Sequence, residues 1–181
     1  MSPDLSGTVA GAGARPELLV IGGRSGAGKS SIAHALHAML VADDVRHAVI
    51  DGDALDLAWP RPWEHRLSIR NLAAMWDNYR ELGYSRLIYV NTVAVIEADE
   101  IAAAMGGEPI VSGVLLRAAD ATVAQRLAGR EEGDELEVHL ERSAAMASRL
   151  EAEAGAWVRR VDTDGRTRGE VASRVREIIG W

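Results

Sequence analysis

Cysteine and phenylalanine are absent from the 181-residue sequence, and lysine occurs once. Without cysteine there is no disulfide framework, zinc-thiolate centre or thiol nucleophile, and the composition suits a reducing, cytoplasmic setting. The five histidines (His34, His37, His47, His65 and His139) lack the His-Glu-x-x-His spacing of a zinc hydrolase. No apolar run approaches the roughly 18 residues of a membrane span. Twenty basic residues against 27 acidic ones leave a formal charge of −7. That is a poor basis for gripping a phosphate backbone, so neither nucleic acid nor a membrane is an expected partner. Nineteen of the twenty basic residues are arginine and the remaining one is Lys29. A second-lysine Schiff base, a lysine-rich patch and the Asn-Lys-x-Asp guanine-reading motif of GTPases are thereby excluded.

What is present is ordinary globular material, 48% hydrophobic and 26% charged, at a length that suits one domain, with monomer and homodimer both open. Residues 1–16 are rich in Gly, Ala and Ser and read as a loose tail rather than a signal peptide; the domain runs over 17–181. Leu18-Leu19-Val20-Ile21, bounded by Gly22-Gly23, has the continuous apolar character of a strand buried on both faces. A helical stripe of Ile32, Leu36, Met39 and Leu40 follows from Lys29 to about Val41. Further strands are expected at His47 to Asp51, Arg86 to Asn91, Ile110 to Leu116 and Trp157 to Val161. Helices are expected over the Leu72 to Leu82 stripe, over 97–105, from Asp120, over 134–153 and at the chain end through Val171, Val175 and Ile178. Five strands alternating with helices predict an α/β fold, a parallel sheet with right-handed crossovers and both faces covered. The 53–83 stretch reads as an insertion on that core, and 120–134 as a lid.

Gly23-Arg24-Ser25-Gly26-Ala27-Gly28-Lys29-Ser30 matches G-x-x-x-x-G-K-[ST], followed by Ser31, between a predicted strand and a predicted helix. Shuffling this composition yields the pattern in roughly one chain in a thousand, too rarely for chance to explain it in that context. Glycines let backbone N–H groups wrap a phosphate, the helix N-terminus adds a positive dipole end, Lys29 supplies a compact charge to the β- and γ-phosphates, and the Ser30 hydroxyl can ligate Mg²⁺. The sole lysine thus stands where a rotating ammonium is needed and a planar guanidinium would fit poorly.

Asp51-Gly52-Asp53 closes the second strand, where open parallel sheets bind ligands. Phosphoryl transfer needs one carboxylate for the metal, assigned to Asp51, and one for the attacking hydroxyl, assigned to Asp53; the alternative is a turn in which both cap backbone N–H groups. Arg126 and Arg130 share a helix face and can stabilise the charge of the transition state, or else pair with Glu131 and Glu132 on a solvated surface. Six of the eight aromatic residues lie between Trp59 and Tyr89. Trp59 and Trp63, with Arg66 and Arg70, are candidates for an acceptor-binding wall, Trp76 and Tyr79 for core, and Arg142 and Arg149 for surface charge.

GRSGAGKSS, VIDGDALD, the paired arginines and VDTDGRT together resemble the small P-loop kinases, in particular the adenylylsulfate kinase and chloramphenicol phosphotransferase group. The resemblance implies a five-stranded sheet of order 2-3-1-4-5, ATP with Mg²⁺, transfer of the γ-phosphate to a small acceptor, and an adenine site near Asp162 to Arg166. The chain departs from adenylylsulfate kinases in lacking their phenylalanine-led segment and nearby lysine. Its third strand ends in Asn91 rather than a Walker B aspartate, which throws the metal role onto Asp51. The expectation is an ATP-dependent kinase acting on a small-molecule hydroxyl, such as that of a nucleoside-like compound or an antibiotic. A nucleoside monophosphate kinase and a non-catalytic ATP-binding regulatory or sequestering module are the alternatives.

Overall fold

A computed structural model describes residues 15–60, 62–128 and 134–181, with the side chains of Trp63 and Asp134 left aside. Five parallel strands form one sheet: β1 (Glu17–Gly23), β2 (Ala48–Asp51), β3 (Arg86–Val90), β4 (Ile110–Arg117) and β5 (Arg159–Asp162), in the order β2-β3-β1-β4-β5. Residues alternate faces along a strand, and β1 sorts them cleanly. Leu18 and Val20 enter one core with Ile50, Leu87, Tyr89 and Leu115. Leu19 and Ile21 enter the other with Ile88, Val90, Val114, Leu116 and Val161. This is why β1 lacks polar alternation and reads as an unbroken apolar run.

Helices α1 (Lys29–Ala42) and α6 (Arg168–Ile179) cover the second of these faces through Leu36, Leu40, Val171 and Val175. The other face is covered by α2 (Leu67–Glu81), α3 (Ala98–Met105) and α5 (Asp134–Glu153), through Leu72, Trp76, Ile101 and Leu150. The short α4 (Asp120–Ala128) lies over the glycine-rich loop, burying Val123 and Leu127. Two differences from the expected elements have plain causes. α2 begins at Leu67, ahead of the stripe at Leu72, because Leu67 and Ile69 are only half-buried and weaken the periodic signal at its start. β5 starts at Arg159 because the Trp157 ring lies against Gly113, where a Cβ would meet it at 2.5 Å, instead of pairing as strand.

Because β3 and β4 flank β1, successive connections leave β1 in opposite directions and open a crevice beyond its carboxyl end. The glycine-rich loop, Asp51, Asn91, the Arg117 to Asp120 segment and Asp162 to Arg166 all follow strand ends at that edge.

Candidate active site

The loop leaves β1 at Gly23 and delivers Gly28 to the start of α1 at φ 99°, a left-handed conformation that glycine adopts without Cβ strain. Lys29 folds back so that its Nζ donates to the carbonyl of Gly23 at 2.9 Å and to that of Arg24 at 3.4 Å. Burial holds its pKa below the usual lysine value, while Asp53 and Asp51 oppose the shift. A desolvated ammonium of this kind gains from an incoming phosphate.

Arg24 behaves unlike the rest of the loop. Its side chain is 5% exposed, its Nε donates to Ser143 Oγ at 2.9 Å, and its guanidinium pairs with Asp120. Ser143 Oγ donates in turn to the Ser25 carbonyl at 3.1 Å, and His139 Nε2 lies 2.9 Å from Ser25 Oγ. The phosphate loop is thus tied to α4 and α5 by side chains pointing away from the nucleotide face, leaving Arg24 only its backbone to offer a ligand.

Asp51 and Asp53 serve distinct roles. Asp51 Oδ2 accepts from Ser30 Oγ at 3.2 Å and Oδ1 accepts from the Asp53 N–H at 3.1 Å. The turn-capping alternative is therefore present at Asp51, whose other oxygen faces Ser30. Asp53 Oδ1 accepts from Asn91 Nδ2 at 2.7 Å, and Asn91 Oδ1 accepts from the Val93 N–H at 2.9 Å. Burial pushes the Asp53 carboxyl above its usual range, Lys29 pulls the other way, and Asp51 and Asp56 add to the rise. Between the aspartates, a Cβ on Gly52 would stand 2.3 Å from the Tyr89 hydroxyl. Burial, followed by the charge of Glu97, keeps that phenol protonated far into the alkaline range.

Arg126 spans the loop, its Nη1 donating to the Gly26 carbonyl at 2.9 Å and to Thr163 Oγ1 at 3.1 Å. Arg130, Glu131 and Glu132 lie outside the described residues. A cleft of about 660 Å³ is walled by the loop from Ser25 to Ile32, by Asp53 and Arg126, and by Thr163 and Arg166 to Arg168. The β5 end thus stands across the loop where the resemblance puts the adenine.

Of the residues expected to wall the acceptor, the Trp63 side chain lies outside the described residues, and the others have separate surroundings. Trp59 is 90% exposed, Arg66 forms an ion pair with Glu100 of α3, and Arg70 is exposed. Trp76 is buried in the core, and Tyr79 packs edge-on against Tyr84 with ring centroids 5.4 Å apart. Arg142, read as surface charge, is exposed and also lines a second cavity of about 650 Å³ with Ser25, Thr92, Val138, Ser143 and Met146. Nothing in the one-dimensional pattern separates it from Arg149, which pairs with Glu153 at 3.0 Å.

A glycine-rich phosphate loop at the switch point of a 2-3-1-4-5 parallel sheet, with its lysine and an aspartate turn converging on one cleft, defines a P-loop fold of the kinase type. The chain belongs to the AAA domain family designated AAA_33, whose model matches residues 18–152. No curated protein matches it in sequence. Among solved structures, the tunicamycin resistance protein of Deinococcus radiodurans superposes with a TM-score of 0.63 at 21% identity, covering 92% of this chain and 96% of that one. The APS kinase of Mycobacterium tuberculosis, in complex with AMPPNP and APS, gives 0.55 at 19% identity over 92% and 99% of the two chains. A gluconokinase from Sinorhizobium meliloti 1021 gives 0.56 at 21% identity over 92% and 91%. These likenesses concern the fold.

Proposed function

We propose that the protein is an ATP-dependent phosphotransferase that moves the γ-phosphate to a hydroxyl of a small molecule. The carrying observation is Asp53: a carboxylate raised in pKa, oriented by Asn91, on the same cleft as Lys29 and the loop amides. An ATP-sequestering module needs the loop and the lysine but has no use for such a base. That two of the fold neighbours are kinases, one of APS and one a gluconokinase, points the same way.

In this reading the loop N–H groups and Lys29 bind and orient the phosphates, and Arg126 supports the equatorial oxygens as charge spreads. Asp53 takes the proton of the acceptor hydroxyl as that oxygen bonds to the γ-phosphorus; the bond to the β,γ-bridging oxygen breaks and ADP leaves with its electron pair. Ser30 Oγ and Asp51 Oδ2 are hard oxygen donors 3.2 Å apart, which suits Mg²⁺. No cluster of three His, Cys, Asp or Glu side chains could hold a metal among the described residues, as fits an ion that takes most of its ligands from phosphates and water. When bound, Mg²⁺ would neutralise charge on the β- and γ-oxygens. No described helix is long and apolar enough to cross a membrane; we read the enzyme as cytoplasmic, with a small-molecule acceptor and neither nucleic acid nor membrane as partner.

Asp53→Asn tests the reading. It should lower kcat by about 10²- to 10⁴-fold, the usual contribution of a general base, while leaving ATP affinity within about twofold. Unchanged turnover would favour the binding-module alternative. Lys29→Ala should abolish nucleotide binding under either reading, and full retention of ATP affinity would remove the phosphate-loop assignment itself.

A further inference from the structure

Two cavities of similar size meet at Ser25. The cleft of about 660 Å³ runs along the loop toward Thr163 and Arg168, and the cavity of about 650 Å³ lies on the other side, between Thr92 and α5. Thr92 directly follows Asn91, the residue that holds Asp53, and its carbonyl accepts the Gly23 N–H at 3.1 Å. The second cavity therefore adjoins the phosphate loop at Ser25 and the residue that follows Asn91, while Asp53 itself lines the first cleft. A donor in one cavity and an acceptor in the other would meet where the γ-phosphate must pass.

The lining shows which chemistry fits. Val138 and Met146 project from α5 eight residues apart and present hydrocarbon, while Arg142 stands midway between them on the same face. Arg142 is exposed and has neither an ion-pair nor a hydrogen-bond partner among the described residues, unlike Arg149 two turns further along α5 or Arg66 at the start of α2. Glu135 lies on this cavity two helical turns above Arg142, about 10 Å along the axis. Its charge repels an anion from that end and leaves Arg142 as the anion's position. A guanidinium with open donors is suited to a carboxylate, which it binds through two parallel hydrogen bonds.

We propose that the acceptor is a hydroxy acid with a compact hydrocarbon skeleton, seated between Thr92 and the Val138–Met146 face, its carboxylate paired with Arg142 and its hydroxyl directed to Asp53. This rests on the kinase reading and assigns the substrate class within it. Arg142 is then a specificity-determining residue, and its removal should act on acceptor KM more than on kcat.

The test uses the full chain with Mg²⁺ and two kinds of probe, shikimate, mandelate and 3-phenyllactate against the methyl ester of each. Saturation-transfer NMR in the presence of AMPPNP reads binding, and phosphate transfer from labelled ATP reads turnover. Acids should bind and accept phosphate at least tenfold better than their esters. Arg142→Gln should abolish that preference and raise the acid KM at least tenfold, whereas Arg142→Lys should retain part of it. Should Arg142→Gln fold poorly by circular dichroism, the wild-type acid-to-ester ratio decides alone. Equal binding of acids and esters would overturn the proposal, and if transfer persisted it would leave the kinase reading standing. Acid-selective binding that depends on Arg142, without transfer from ATP to any probe, would instead strike the kinase reading and keep the anion site.

Discussion

At the scale of single residues, the proposed reaction depends on how Asp53 is held. Asn91 donates to the carboxylate form, and a donor to the charged form lowers a carboxyl pKa. Burial acts oppositely and dominates, so the proton is retained to a higher pH than on an ordinary aspartate. Only the ionised form is a base, so kcat/KM should fall as pH drops through that raised pKa. Removing the Asn91 donor should move this acidic limb to still higher pH, which a pH–rate profile of Asn91→Ala would show; a limb that stays in place would mean that another group titrates. Gly52 belongs to the same arrangement. With the Tyr89 hydroxyl and Asn91 Cβ packed against its Cα, Gly52→Ala should cost about 1–3 kcal/mol through overpacking, measured by urea denaturation, and lower turnover by displacing Asp53.

At the scale of elements, the phosphate loop and the aspartate turn were legible in the sequence because each is contiguous and each follows a strongly apolar strand. Residues whose roles depend on two elements meeting were not legible. Arg24 occupies a variable position of the loop motif, yet it is consumed by Asp120 and Ser143 on α4 and α5. Arg66 opens α2 in a left-handed conformation and turns to α3, where it pairs with Glu100. Arg142 and Arg149 look alike in the sequence, but only Arg142 faces the cavity beside Ser25. Trp76 illustrates the reverse case. Its apolar spacing marked it as core, and it is fully buried, but its indole N–H finds no acceptor there. Replacing it with phenylalanine removes that orphan donor along with some volume, so Trp76→Phe should cost less than about 1.5 kcal/mol, whereas Trp76→Ala should cost about 3–5 kcal/mol. Chemical denaturation of both variants distinguishes the two effects. On α4, Arg126 contacts the Gly26 carbonyl and Thr163. As a transition-state group it should lower kcat on replacement by alanine more than it raises the KM for ATP; the reverse pattern would make it a ground-state contact.

At the scale of the whole molecule, the two cores either side of the sheet explain why a short, continuous apolar run sufficed to place β1 at its centre; the strand order came from the resemblance to the small P-loop kinases and is the order found. The native state alone assembles the loop, Lys29 and the Asp51–Ser30 pair, so nucleotide should bind only the folded chain. AMPPNP with Mg²⁺ at about 100 times its Kd should add about 2.7 kcal/mol of stability and raise Tm by roughly 5–10 °C. Lys29→Ala should remove that increment, and a shift that survives the substitution would place the nucleotide elsewhere.

Ser25 is the point at which the two cavities beside the phosphate loop share a wall, pinned from behind by Ser143 and approached by His139. A wall common to two occupants links them thermodynamically. Whatever factor a donor nucleotide imposes on acceptor affinity by shifting this serine, the acceptor must return to the nucleotide in equal measure.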